Sequence, residues 1–137
     1  MIARLSMLVL AAIALIALGC GDSSPDETVQ EYFDAIVEQD GKRACDQLTE
    51  QLQIDIEQSP AARNSGRSCA DVMELAAGLN PGLIGDGVGD LEIDVEEDGD
   101  RAVATVENPF VRREETIDLV KENGDWKIAS LETRPRG

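Results

Sequence analysis

Leu91-Glu92-Ile93-Asp94-Val95-Glu96-Glu97-Asp98-Gly99-Asp100-Arg101-Ala102-Val103-Ala104-Thr105-Val106 is the stretch on which the fold turns. Leu91, Ile93 and Val95 alternate with Glu92, Asp94 and Glu96, the period of two that gives a strand one buried and one solvated face. Glu97-Asp98-Gly99-Asp100 reads as a hairpin turn, and Arg101 to Glu107 as the returning strand. Downstream, Asn108-Pro109 interrupts the run, since proline has no N–H for the ladder and marks a bulge or an edge. Glu115 to Glu122 reads as a third strand with Ile117 and Leu119 inward. Asn123-Gly124 is a strong hairpin signal, and Trp126 to Thr133 forms the fourth strand. The chain therefore ends in a four-stranded antiparallel meander.

Upstream the period lengthens towards 3.6. Ser24-Pro25-Asp26-Glu27 offers an N-cap, a proline at the first helical position and a glutamate to close a capping box. Val29, Tyr32, Phe33, Ile36 and Val37 follow as one apolar stripe. Asp40-Gly41 is read as the stop, with the glycine in a left-handed cap. A second helix is expected from Lys42 to about Gln53, burying Ala44, Cys45, Leu48 and Leu52. Leu52, Ile54 and Ile56 also alternate, so extended chain is the competing reading there. Ser59 to Gly66 reads as a loop. Ser68, with Asp71 three residues on, opens a third helix whose buried side is Cys69, Val72, Met73, Ala76 and Leu79. Asn80-Pro81-Gly82 stops it, and Gly82 to Gly89 reads as a flexible connector. Helices followed by a meander make an α+β domain, with three helices on one face of the sheet.

Composition narrows the function. The 137 residues include 28 acidic and 12 basic side chains, a net charge of −16, no histidine, three cysteines and four aromatics. That length suits one domain. So acidic a chain is not a phosphate-backbone binder, and no nucleic-acid partner is expected. The lack of histidine removes the commonest general base and the commonest metal ligand, and no cofactor is expected.

The first twenty residues read as an address. Arg4 is the only charge before Asp22, and Leu8 to Leu18 is an unbroken apolar run. A spanning helix needs about 20 apolar residues, so this shorter run reads as a secretory signal. It ends in Ile16-Ala17-Leu18-Gly19-Cys20, which resembles the bacterial lipoprotein signal box. The most typical box has Leu three before the cysteine and a small residue two before, where this chain has Ala17 and Leu18. The resemblance implies a signal peptide over 1–19, diacylglycerol on Cys20 and acylation (palmitate) of the new amino terminus. The expected partner is then a bacterial cell membrane, with the domain extracytoplasmic and lipid-anchored, since two or more acyl chains make a lasting anchor. Residues 20–24 would be the tether and 25–137 the domain. With Cys20 so used, Cys45 and Cys69 remain as an even pair in an oxidising compartment. A metal site would need more ligands, so the pair reads as a disulfide, worth about 3 kcal/mol by chain entropy.

Three stretches resemble the nuclear-transport-factor-2-like superfamily, a cone-shaped α+β fold with a curved sheet. They are Val29 to Val37 with Tyr32-Phe33, Asp40-Gly41-Lys42-Arg43-Ala44-Cys45, and Lys121-Glu122-Asn123-Gly124-Asp125-Trp126-Lys127-Ile128. The likeness spans roughly residues 24–134, and lacks an obvious strand between the helices unless 52–57 supplies it. It implies a domain binding a small amphipathic molecule or an envelope partner protein. An isomerase or hydratase working from a pocket is the alternative it implies, and a structural accessory domain is a third.

For catalysis the candidate is Tyr32, the single tyrosine, whose phenol could donate to a developing oxyanion. On the apolar stripe it also reads as plain core. No strand acid falls clearly inward to serve as base: Asp118 sits between Ile117 and Leu119, while Glu92, Asp94 and Glu96 alternate outward. Asp94-x-Glu96-x-Asp98-Gly99 imitates the start of a calcium loop, but Thr105 stands where the bidentate glutamate belongs. The simpler reading of Asp94, Glu96 and Asp98 is a solvated strand face. Arg112 and Arg113 are the densest basic spot and could receive an anion, or pair locally with Glu114 and Glu115. Trp126, after the hairpin turn, either caps the core or lines a pocket.

Overall fold

The computed structural model describes residues 23–79, 89, 91–108 and 113–133. The leader 1–19, Cys20, the connector up to residue 88, Pro109 and Arg112 lie outside the described residues. The elements run α1 (Pro25–Val37), α2 (Gly41–Asp46), α3 (Glu50–Glu57), α4 (Pro60–Ser65), α5 (Cys69–Gly78), β1 (Ile93–Asp98), β2 (Arg101–Asn108), β3 (Arg113–Glu122) and β4 (Asp125–Thr133). The sheet is fully antiparallel in the order β1-β2-β3-β4.

The chain is thus α+β with five described helices rather than the three expected. The expected Lys42–Gln53 helix breaks at Gln47–Thr49, where the backbone pairs with β4. The Ile128 N–H donates to the Gln47 carbonyl (2.8 Å), and the Thr49 N–H donates to the Ile128 carbonyl (2.9 Å). Thr49 then caps α3 by accepting the Leu52 N–H at 3.2 Å. Residues 52–57 are helical, so the extended alternative fails: Leu52 and Ile56 lie four apart and pack on the core. The expected loop Ser59–Gly66 holds α4, built on a serine cap, Pro60 at the first position and Gly66 at φ +65°.

α1 begins where expected, with the Ser24 N–H donating to Glu27 Oε2 at 3.2 Å. It does not end on Gly41. Gln39 takes the left-handed conformation (φ +56°), Asp40 caps α2 by accepting the Arg43 N–H at 3.0 Å, and Gly41 is the first residue of α2. A glycine is needed there because α5 passes so close: a Cβ on Gly41 would lie 2.1 Å from the Ala70 carbonyl oxygen. α5 is turned from the expected stripe. Cys69, Met73 and Ala77 are buried, whereas Ala76 is exposed and Leu79 is 72% exposed.

Both hairpins have two-residue loops, Gly99-Asp100 and Asn123-Gly124. In the second, both residues have positive φ (+54° and +87°), the type I′ form that Asn-Gly favours. Asp118 faces Ser130 and Leu119 faces Ile128, so Ala129 is a bulge residue on β4. The inner face carries Ala102, Ala104, Val106, Ile117, Leu119, Trp126 and Ile128, all buried. Val29 and Phe33 of α1, Ala44 and Cys45 of α2, Leu48 and Met73 join them in one core. Thr28, almost wholly buried, ties α1 to β4 by donating its hydroxyl to the Trp126 carbonyl at 3.2 Å. Among the described residues no helix is long and apolar enough to cross a membrane.

Candidate functional site

Cys45 and Cys69 form a disulfide, with their Cα atoms 6.2 Å apart. It joins α2 to the first residue of α5, and both cysteines are buried. Neither sulfur is available for redox or metal chemistry at the surface.

Tyr32 packs edge-on against Phe33, ring centroids 5.5 Å apart. Burial, and secondarily the negative charge of Glu115, pushes its phenol up to about 12. It is a neutral donor at any physiological pH. Glu115 corrects the sequence reading, because it sits opposite Val106 on β2 and so shares the inner face with Ile117. Alternation from Ile117 and Leu119 carried that signal. A phenol that titrates higher in the folded state stabilises the fold below its unfolded value of 10.0, and that stabilisation is lost as pH rises towards about 12. The single tyrosine should therefore show its phenolate absorbance rising only near pH 12, with stability falling from about pH 10. Tyr32→Phe should flatten that fall; a titration midpoint near 10 in the folded chain would contradict the burial.

Trp126 is core, 5% exposed. Lys121 Nζ lies over its ring at 5.3 Å from the centroid, a cation–π contact shielding the indole from solvent. Arg113 is exposed at the start of β3. The better organised guanidinium is Arg43, whose Nε donates to Glu31 at 2.5 Å and which also pairs with Glu38, clamping α2 to α1. Those hydrogen bonds raise its already high pKa. Asp94, Glu96 and Asp98 are exposed, the first two on the outer sheet face opposite Thr105 and Val103. Among the described residues no three acidic or cysteine side chains converge to hold a metal ion.

Three recesses formed by described residues open outward. One of about 450 Å³ lies between α1 and the start of β1, lined by Asp26, Glu27, Gln30, Glu31, Leu91 and Ile93. A second, about 320 Å³, lies on the outer sheet face around Val103, Val120 and Ala129. A third, about 150 Å³, is lined by Glu92, Asp94, Thr105, Glu107 and Glu114. The first has the most structure. Gln30 spans it, its Nε2 donating to the Gly89 carbonyl (2.8 Å) and its Oε1 accepting the Leu91 N–H (2.9 Å). Sequence reading missed Gln30, because a polar residue beside an apolar stripe looks like ordinary solvated surface.

Comparison of the chain with protein-family models, with curated proteins and with solved structures returns no match.

Proposed function

We propose that this chain is a lipid-anchored, extracytoplasmic protein of a bacterial envelope, acylated on Cys20, whose domain is non-catalytic and binds a partner protein. The observation that carries the binding reading is the acid-walled groove between α1 and β1, with Leu91 and Ile93 as its apolar floor. Its shape is open rather than enclosed, which suits a polypeptide better than a small molecule buried on most of its surface. The anchor rests on the apolar run to Leu18 and on Gly19-Cys20. Kinship with nuclear-transport-factor-2-like domains is part of the proposal. It is supported by helices preceding a meander, with α1 packed against the sheet and α2 against α1 and α5.

Two measurements in bacteria test this. A Cys20→Ala chain should leave the membrane fraction, and retention there would refute the anchor. A photoreactive side chain at position 31, in the groove wall, should give a discrete adduct of higher mass, whereas one at position 103 on the outer sheet face should not. No adduct from either position would refute partner binding.

A second reading, a pocket enzyme resembling the superfamily's isomerases, is favoured by one observation. Glu115 shares the inner face near a phenol kept neutral. Saturable binding of a small amphiphile that Tyr32→Phe abolishes would favour that reading.

A further inference from the structure

The two edges of the sheet are treated differently. The edge of β4 is covered at Ile128, whose N–H and carbonyl bond the backbone at Gln47 and Thr49. β1 has β2 on one side and, among the described residues, no strand on the other.

Which groups β1 turns outward follows from its hairpin. A two-residue loop makes the flanking pair, Asp98 and Arg101, exchange both backbone hydrogen bonds. Alternate residues face the same neighbour, so Asp94 and Glu96 bond to β2. Ile93 and Val95 then point their N–H and C=O groups at the open edge. Leu91, two residues before Ile93, is in phase with them, and its N–H is the one that Gln30 accepts.

Gln30 shows how that edge is read. Its carboxamide accepts the Leu91 N–H and donates to the Gly89 carbonyl, the two bonds a parallel strand would make across the residue between them. A side chain of α1 thus plays one rung of a neighbouring strand. The next groups along, the Leu91 carbonyl, the Ile93 N–H and carbonyl and the Val95 N–H, continue the ladder beside the groove.

Charge selects the occupant. Open edges are usually protected by charged side chains, lysine above all, by proline or by bulges, and an acidic edge so protected against its own kind still admits a basic segment. Here the flanking charges are Asp94 and Glu96 on the strand and Asp26, Glu27 and Glu31 on the helix, with Glu31 shared with Arg43. A second copy of a chain with net charge −16 is repelled from such an edge, and a basic segment is attracted.

We propose that β1 takes up an extended, lysine- or arginine-bearing polypeptide segment as a fifth strand. Its apolar side chains would lie over Leu91 and Ile93, and its cations, on the opposite face of the added strand, beside Asp94 and Glu96. This names the partner class for the groove and rests on the partner-binding reading. Strand addition of this kind draws affinity from backbone bonds and specificity from alternate side chains.

The test uses the full chain in a non-ionic detergent and a short fluorescent peptide alternating lysine and valine. In the free chain the Ile93 and Val95 amides should exchange hydrogen rapidly; on saturation with peptide both should become protected. Methylating alternate peptide nitrogens should weaken binding about tenfold, the loss of one or two hydrogen bonds, without altering the protein. A glutamate-valine peptide should not bind. Val95→Pro removes one outward N–H and no bond to β2, and should weaken binding similarly with the fold retained. Protection of these amides without peptide means that the chain itself or a second copy holds the edge, and overturns the proposal. Binding that ignores N-methylation is adsorption to acidic surface and also overturns it, as does no binding at all. An adduct from position 31 alongside any of these failures leaves partner binding intact and removes only strand addition.

Discussion

Replacing Gly41 with alanine is expected to cost about 3 kcal/mol or more and to lower the melting temperature by roughly 10 °C. The added methyl would sit 2.1 Å from the Ala70 carbonyl oxygen, 2.9 Å from its carbonyl carbon and 2.8 Å from Glu74 Cγ. Glu74 can rotate away; the Ala70 backbone, inside α5, cannot move without shifting the helix. Nor can α2 simply slide aside, because Cys45, one turn beyond Gly41, is bonded to Cys69 beside Ala70. Domains of this size are stable by only about 5–15 kcal/mol, so the loss would be plain in a urea unfolding midpoint. Gly78 provides the control. A Cβ there meets nothing within 4 Å, so Gly78→Ala should be neutral or stabilising by up to about 1 kcal/mol. Equal effects at the two glycines would mean that α2 and α5 do not approach as described.

Converting both Cys45 and Cys69 to alanine is the second large effect, with an expected loss of about 3 kcal/mol. Most of it acts on the unfolded chain, which recovers the freedom of the loop between residues 45 and 69. Part acts on the fold, because both sulfurs are buried in the core and small voids replace them. Urea unfolding of the double variant should show the loss with or without reductant. The parent chain should match it only once reduced. An unchanged midpoint in the double variant would mean that the bridge contributes nothing. The two perturbations share one helix contact and should not add: Gly41→Ala should cost less when the bridge is absent, because α2 is then free to retreat.

The parts of the fold legible in the sequence are those whose signals are local. Ser24-Pro25-Asp26-Glu27 closes a capping box wherever it leads, and the stripe from Val29 to Ile36 follows it into the core. Asn123-Gly124 adopts two positive φ angles at little steric cost, so its hairpin needed no outside help. The alternation from Leu91 to Val106 placed both strands and their outward acids. α4 was equally legible in kind, since Ser59-Pro60 repeats the start signature of α1, yet its polar composition read as loop.

The groove was only half visible. Its acids and its apolar floor are plain in the sequence, but each belongs to a segment read separately as a solvated helix face or a strand. Gln30 joins them through Gly89 and Leu91, a contact between segments far apart along the chain. Glu115 was reachable from the alternation around Ile117, but not its nearness to Tyr32, which depends on how α1 packs against the sheet.

By itself the amino-acid order determined the α+β class, the meander, the starts of α1 and α5 and, once Cys20 is set aside, the pairing of two cysteines, because each rests on neighbours in sequence or on simple counting. Tertiary structure alone decided that the helix expected from Lys42 to Gln53 would break. Its backbone gains two hydrogen bonds from Ile128, and no periodicity within the segment encodes a partner so distant. It likewise decided that Gly41 would open a helix instead of closing one. A glycine's freedom is written in its chemistry; whether that freedom serves a turn or the passage of another backbone is set by what packs against it.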